Sequence, residues 1–173
     1  MHNVNLQALN ATVEKARQDP SAVVMTTVFD GEWNTGGGPQ FSATIPLPNG
    51  GQVTFAADFP PPMGGTGSAP NPLAYCFWGG LACYAMTFAQ EAAQADIEIR
   101  ALRARVEAQV DQSRALGVTD NPPVQQIDWT LHVEADATAE QLEAVKRSAD
   151  EHCPGVYCLR NPIELRTALE TAA

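Results

Sequence analysis

Four cysteines, at positions 76, 83, 153 and 158, are the residues whose type and spacing could do chemistry. Cys83 lies inside an apolar stretch, twelve residues after Asn71, with Cys76 two helical turns before it. Cys153 follows His152, precedes Pro154, and has Cys158 five positions on. A deprotonated thiol is a nucleophile, a redox centre or a metal ligand. An unreactive buried thiol is the simpler reading of Cys76 and of Cys158 taken alone. A structural zinc site usually draws on tight paired ligands, and this chain has no C-x-x-C pair, so no metal is expected. Cys76 and Cys83 are not a disulfide pair within one helix, since seven residues rise about 10.5 Å. Cys76 could instead meet its own copy across a dimer axis, and a buried thiol packing on a neighbouring helix explains it as well.

Other sequence signatures are missing. There is no G-x-S-x-G elbow, no G-x-x-x-x-G-K-[ST] and no G-x-G-x-x-G, and Gly64-Gly65-Thr66-Gly67 has no lysine after it. Trp33, Trp78 and Trp129 read as core or interface, and His132 falls on the polar side of its strand.

The elements that must position these thiols follow from periodicity. Val4, Leu6, Leu9, Val13 and Ala16 predict a helix over 4–19 that stops at Asp19-Pro20. The β-branched run 22–29 predicts a strand ending at Asp30-Gly31. Residues 41–47 and 52–57 predict two more strands around the turn Pro48-Asn49-Gly50-Gly51, giving a three-stranded meander. A loop of breakers over 60–72 then delivers the chain to a buried helix, with Asn71 as N-cap and Pro72 in its first position. That helix, to about residue 95, is apolar nearly all round, so it is expected to be enclosed by other elements or by a second subunit. Residues 96–112 fit helix by composition and strand by alternation. Ile127, Trp129, Leu131 and Val133 mark a half-exposed strand. Thr138 and Gln141 open an amphipathic helix in capping-box spacing, and 162–172 is expected to close with a short strand or helix. The class is α+β, read as a single domain over 1–173 with residues 1–19 as a helical arm.

The chain has 173 residues and is 45% hydrophobic and 17% charged, with a net charge of −10. That charge argues against nucleic acid or an anionic membrane as partner, since both need a basic face. No signal peptide or membrane span is visible, and four cysteines then suggest a reducing, cytoplasmic address.

Asn71-Pro72, the apolar helix and Cys83 in Leu81-Ala82-Cys83-Tyr84-Ala85-Met86-Thr87 resemble the central helix of the OsmC/Ohr family. Cys153-Pro154 at the end of a helix is similar to that family's second cysteine motif. The glycine-rich loop, the meander and Asn161-Pro162-Ile163-Glu164 also fit, over residues 20 to 166. The resemblance implies an intertwined homodimer with long central helices packed between sheets and sites at the subunit interface. It also implies reduction of organic hydroperoxides, with Cys83 peroxidatic, Cys153 resolving, a dithiol as reductant and no cofactor. Trp78, Met86 and Cys76 are the expected pocket residues. Active members of the family set an arginine and a glutamate beside the peroxidatic cysteine. Here Leu73 and Ala74 follow Asn71-Pro72, and residues 31–40 contain no arginine. Arg17, Arg160 and His152 are the nearest substitute cations, and Glu32 the nearest carboxylate. The alternative function is a non-peroxidatic member whose interfacial pocket binds a small apolar or thiol ligand. A cation beside the Cys83 sulfur would separate the two.

Overall fold

The computed structural model describes residues 3–171, as two compact units that meet in sequence between Trp78 and Gly79. The first begins with helix α1 (Leu6–Gln18), capped by the Asn5 side chain on the Ala8 N–H and ended at Asp19. Pro20–Val23 then form a 3-10 turn held by Asp19, whose carboxylate accepts from Ser21. The strand expected over 22–29 does not form. Residues 24–30 are in no helix or strand, with Val24, Met25 and Val28 exposed. β-branched residues favour a strand only where a neighbouring strand exists to pair with, and the sheet begins after them.

The meander itself is as read, displaced at its start. Strands β1 (Gly31–Trp33), β2 (Phe41–Pro46) and β3 (Gln52–Ala57) lie in that order, all antiparallel. The β2–β3 turn closes with the Gly50 N–H donating to the Leu47 carbonyl and the Leu47 N–H to Gly51, while Gly50 takes φ +84°. Only glycine adopts that conformation without strain.

The loop of breakers has its own anchor, which the sequence did not reveal. Asp58 is buried at the end of β3, and one of its oxygens accepts from the backbone N–H and the hydroxyl of both Thr66 and Ser68. These bonds hold its carboxyl far below the usual carboxylate range, the Thr66 hydroxyl most of all. Gly65 passes so close to the returning chain that a Cβ would overlap the Phe59 carbonyl. The loop ends at Asn71, whose side chain accepts from the Ala74 N–H and so caps helix α2 (Pro72–Gln94).

The second unit carries the larger core. Leu81, Tyr84, Phe88 and Ala92, spaced three and four apart, form the buried face of α2. Within the single chain the helix is not covered on every side: Trp78 and Met86 are 60% and 65% exposed. The ambiguous segment 96–112 becomes strand β4 (Ile99–Val110), because β5 (Val124–Ala135) pairs with it antiparallel along nearly its whole length. Ile127, Trp129, Leu131 and Val133 point from β5 to the packed side, as their alternation predicts. Helix α3 (Ala139–His152) starts on the expected capping box and buries Val145 and Ala149.

The ending differs from expectation. A helix not foreseen, α4 (Pro154–Arg160), follows α3 after one extended residue, Cys153, while residues 162–171 form neither helix nor strand. Pro154 sits in the first position of that helix, where its missing N–H has no partner to lose.

Gly65→Ala is expected to lower stability by about 1–3 kcal/mol, because the rigid Phe59 carbonyl cannot give way. Gly36→Ala, where a Cβ meets nothing within 4 Å, should stay within about 0.5 kcal/mol. Urea unfolding of the two variants beside the parent measures both.

Candidate active site

The thiols of Cys83 and Cys153 lie together, with Cys153 Sγ donating to Cys83 Sγ across 3.6 Å. Both are free, and a disulfide needs about 2.05 Å between the sulfurs. Helix α2 supplies Cys83 one residue before the buried Tyr84, so its side chain leaves the edge of the core face. Cys153 is fully buried between the end of α3 and the start of α4, its backbone N–H donating to Ala149 and its carbonyl accepting from Tyr157. Two helix ends fix its position.

Two glycines keep the surroundings of the pair close-packed. A Cβ on Gly155 would stand 3.3 Å from the Cys83 Cβ and 3.5 Å from its sulfur. A Cβ on Gly80 would stand 2.7 Å from the Trp129 ring. The Trp129 ring in turn packs on Tyr84 at 5.6 Å between centroids.

Burial pushes the Cys83 thiol up, the Gly155 backbone N–H pulls it down, and the neighbouring Cys153 and Cys158 push it further up; the net direction is upward. None of these influences is a cation. The suggested substitutes are engaged elsewhere: Arg17 pairs with Glu14 at 3.2 Å, His152 pairs with Glu91 at 2.9 Å, and Arg160 acts on Asp150. Glu32 sits exposed in β1. Cys76 is also exposed, and with Trp78 and Met86 it occupies surface of α2 open to solvent in this chain.

Around the pair are polar links not foreseen from residue order. The Tyr84 hydroxyl donates to Asp150 at 2.7 Å, and Lys146 donates to the other oxygen of that carboxylate at 2.8 Å. Burial works against the Asp150 charge, but these bonds outweigh it and its pKa is lowered. A groove of about 570 Å³ opens beside them, lined by Tyr84, Ile127, Trp129, Val156, Leu159 and Arg160. Among the described residues, no three His, Cys, Asp or Glu side chains come together to hold a metal ion.

His152, next to Cys153, ties α3 to α2. Its Nδ1 meets Glu91 Oε1, and the Ser148 hydroxyl donates to Glu91 Oε2 at 2.6 Å. The Glu91 bond raises the His152 pKa above 6.5 against a small opposing effect of burial. A histidine raised on folding contributes stability that is fully present below its unfolded value, near 6.5, and lost as pH rises through the folded value. An NMR titration should therefore place His152 above 6.5, and Glu91→Gln should bring it back down.

Comparison with known proteins completes the site's context. No curated protein matches the chain. An OsmC-like protein from Mycoplasma pneumoniae superposes with a TM-score of 0.57 at 18% identity, over 80% of this chain and 91% of its own. An organic hydroperoxide resistance protein OsmC from Legionella pneumophila gives 0.53 at 18%, over 79% and 92%. An OsmC-like protein from Vibrio cholerae gives 0.54 at 11%, over 78% and 93%. At these identities the likeness is one of fold: mixed α+β, with small antiparallel sheets and four helices. No helix among the described residues is long and apolar enough to cross a membrane. The sequence profile of the OsmC-like proteins matches residues 65–168, a span that includes both thiols of the pair, and the chain belongs to that family.

Proposed function

We propose that the chain is a thiol-dependent peroxidase that reduces organic hydroperoxides through Cys83 and Cys153. The observation that carries this reading is the 3.6 Å separation of two unbonded sulfurs. Cys83, the more accessible of the two, attacks the terminal peroxide oxygen as a thiolate. The O–O bond breaks, the alcohol leaves with a proton, and Cys83 becomes a sulfenic acid. Cys153 condenses with it, releasing water and forming a disulfide, and a dithiol returns both thiols at the cost of its own oxidation. The name of the Legionella protein, organic hydroperoxide resistance protein OsmC, supports the choice of substrate. A cytoplasmic setting would keep such a dithiol reduced.

One observation favours the second reading, a non-peroxidatic protein that binds a small apolar or thiol ligand. The Cys83 thiol is raised, and a raised thiol is a poor nucleophile at neutral pH. The discriminating experiment adds one equivalent of cumene hydroperoxide to the reduced protein and follows peroxide and free thiols. The peroxidase should lose two thiols per chain, with Cys83→Ser abolishing the loss. Cys153→Ser should slow loss of the second thiol at least tenfold, leaving a sulfenic acid that dimedone traps. The sign of the Cys83 shift predicts a rate that climbs roughly tenfold per pH unit between pH 7 and 9, as the thiolate fraction grows. A rate already level at pH 7 would mean that a cation outside this chain activates Cys83. Oxidation no faster than that of free cysteine would leave the binding protein.

The functional unit in this proposal is an intertwined homodimer with the site at its interface. Trp78 and Met86 on α2 give a second copy apolar surface to cover, and Val24, Met25 and Val28 give it an unpaired extended segment. Light scattering coupled to gel filtration should give twice the chain mass. A charge at the centre of an apolar interface is strongly unfavourable, so Met86→Glu should shift that mass towards one chain.

A further inference from the structure

A third thiol stands on the helix that packs against the pair. Gly155, Cys158 and Leu159 are spaced three and four apart on α4 and so share a face of it. Both ends of that face rest on α2. Gly155 lies against Cys83, and Leu159 Cδ1 is 3.7 Å from the place a Cβ on Gly80 would take. Cys158 belongs to the same face, one turn beyond Gly155, and is exposed where Cys153 is fully buried. Its proximity is felt electrostatically, since a thiolate at Cys158 raises the Cys83 pKa.

This arrangement answers a difficulty in the proposed cycle. A disulfide between Cys83 and Cys153 would have one of its two sulfurs sealed in the core. Resting on the reading of these residues as a redox pair, we propose that Cys158 is a relay thiol that carries the disulfide to the surface. The Cys158 thiolate attacks the Cys83 sulfur, the Cys83–Cys153 bond breaks, and Cys153 leaves as a thiolate that takes up a proton. The exchange moves the bond without net oxidation or reduction. An external dithiol then attacks the exposed Cys158 sulfur and Cys83 leaves as a thiolate. The second thiol of the dithiol attacks the resulting mixed disulfide, and Cys158 leaves as a thiolate. The dithiol, having given two electrons, ends as its own disulfide. Helix α4 can make the necessary approach: it is seven residues long, buries only Val156, and is followed by chain in no helix or strand.

The test oxidises the protein with diamide, which forms disulfides without any peroxide chemistry. A failure of the peroxidase reading therefore leaves the relay open to measurement. Stopped-flow reduction by dithiothreitol should be about tenfold slower in Cys158→Ser and in Cys158→Ala than in the parent. Oxidised Cys153→Ser, alkylated and digested, should yield a peptide cross-linked between Cys83 and Cys158. Reduction at the parent rate in both Cys158 variants would overturn the relay. So would oxidised Cys153→Ser lacking the Cys83–Cys158 cross-link, or diamide producing no disulfide in the parent.

Discussion

Helix α4 lies against α2 at Gly155, where even a Cβ would be tight on Cys83, and the chemistry proposed here depends on that approach. With hydrogen in place of a Cβ at Gly155, the helix backbone comes within reach of the Cys83 sulfur. The same approach presents a backbone N–H to that sulfur, and Cys153 Sγ stands 3.6 Å from it. Gly80 does the corresponding service on α2, where the Trp129 ring occupies the space of a side chain. A larger residue at Gly155 would crowd Cys83 and one at Gly80 would crowd the Trp129 ring, and a shift of even an ångström matters to a bond that forms at about 2 Å.

What holds the two helices in this contact is a core of ordinary composition. Tyr84, Phe88 and Ala92 of α2 meet Val145 and Ala149 of α3, Val156 of α4 and the inward residues of β5. Each large side chain fully buried there contributes on the order of 1.5–3 kcal/mol. Cys153 is one of that cluster, so the thiol assigned to resolve the intermediate is also a core residue. Its burial suits a group that must meet one partner only and be kept from others. In the proposed cycle the reductant would then come from the Cys83 side, the side to which the relay assigns Cys158.

Much of the fold was legible because it follows from local rules. The capping box at Thr138, the Asn71 cap, the Asn-Gly turn and the alternation along β5 are each decided within a few residues, and each formed as read. What local rules misread or left open depends on distant partners. Residues 24–30 have strand-forming side chains and no strand beside them. Residues 96–112 became a strand because β5 lies alongside, which composition alone could not decide. The exposure of Trp78 and Met86 depends on what lies outside α2, and the apolar pattern of that helix describes only its own surface.

The amino-acid sequence by itself pointed to the thiols proposed to carry the chemistry and to the family to which the pattern belongs. Cysteine at 83 after Asn71-Pro72, and Cys153-Pro154 at a helix end, are facts of order and spacing that need no coordinates. Tertiary structure alone decided that two thiols seventy residues apart in the chain stand 3.6 Å apart in space. It also decided that Gly155 rather than an arginine stands at the Cys83 sulfur, and that Cys158 joins the same helix face. The physical reason is one of range. Caps, turns and amphipathic faces are written in neighbouring residues, whereas a reactive thiol's environment is assembled from helices whose approach is set by the side chains they lack.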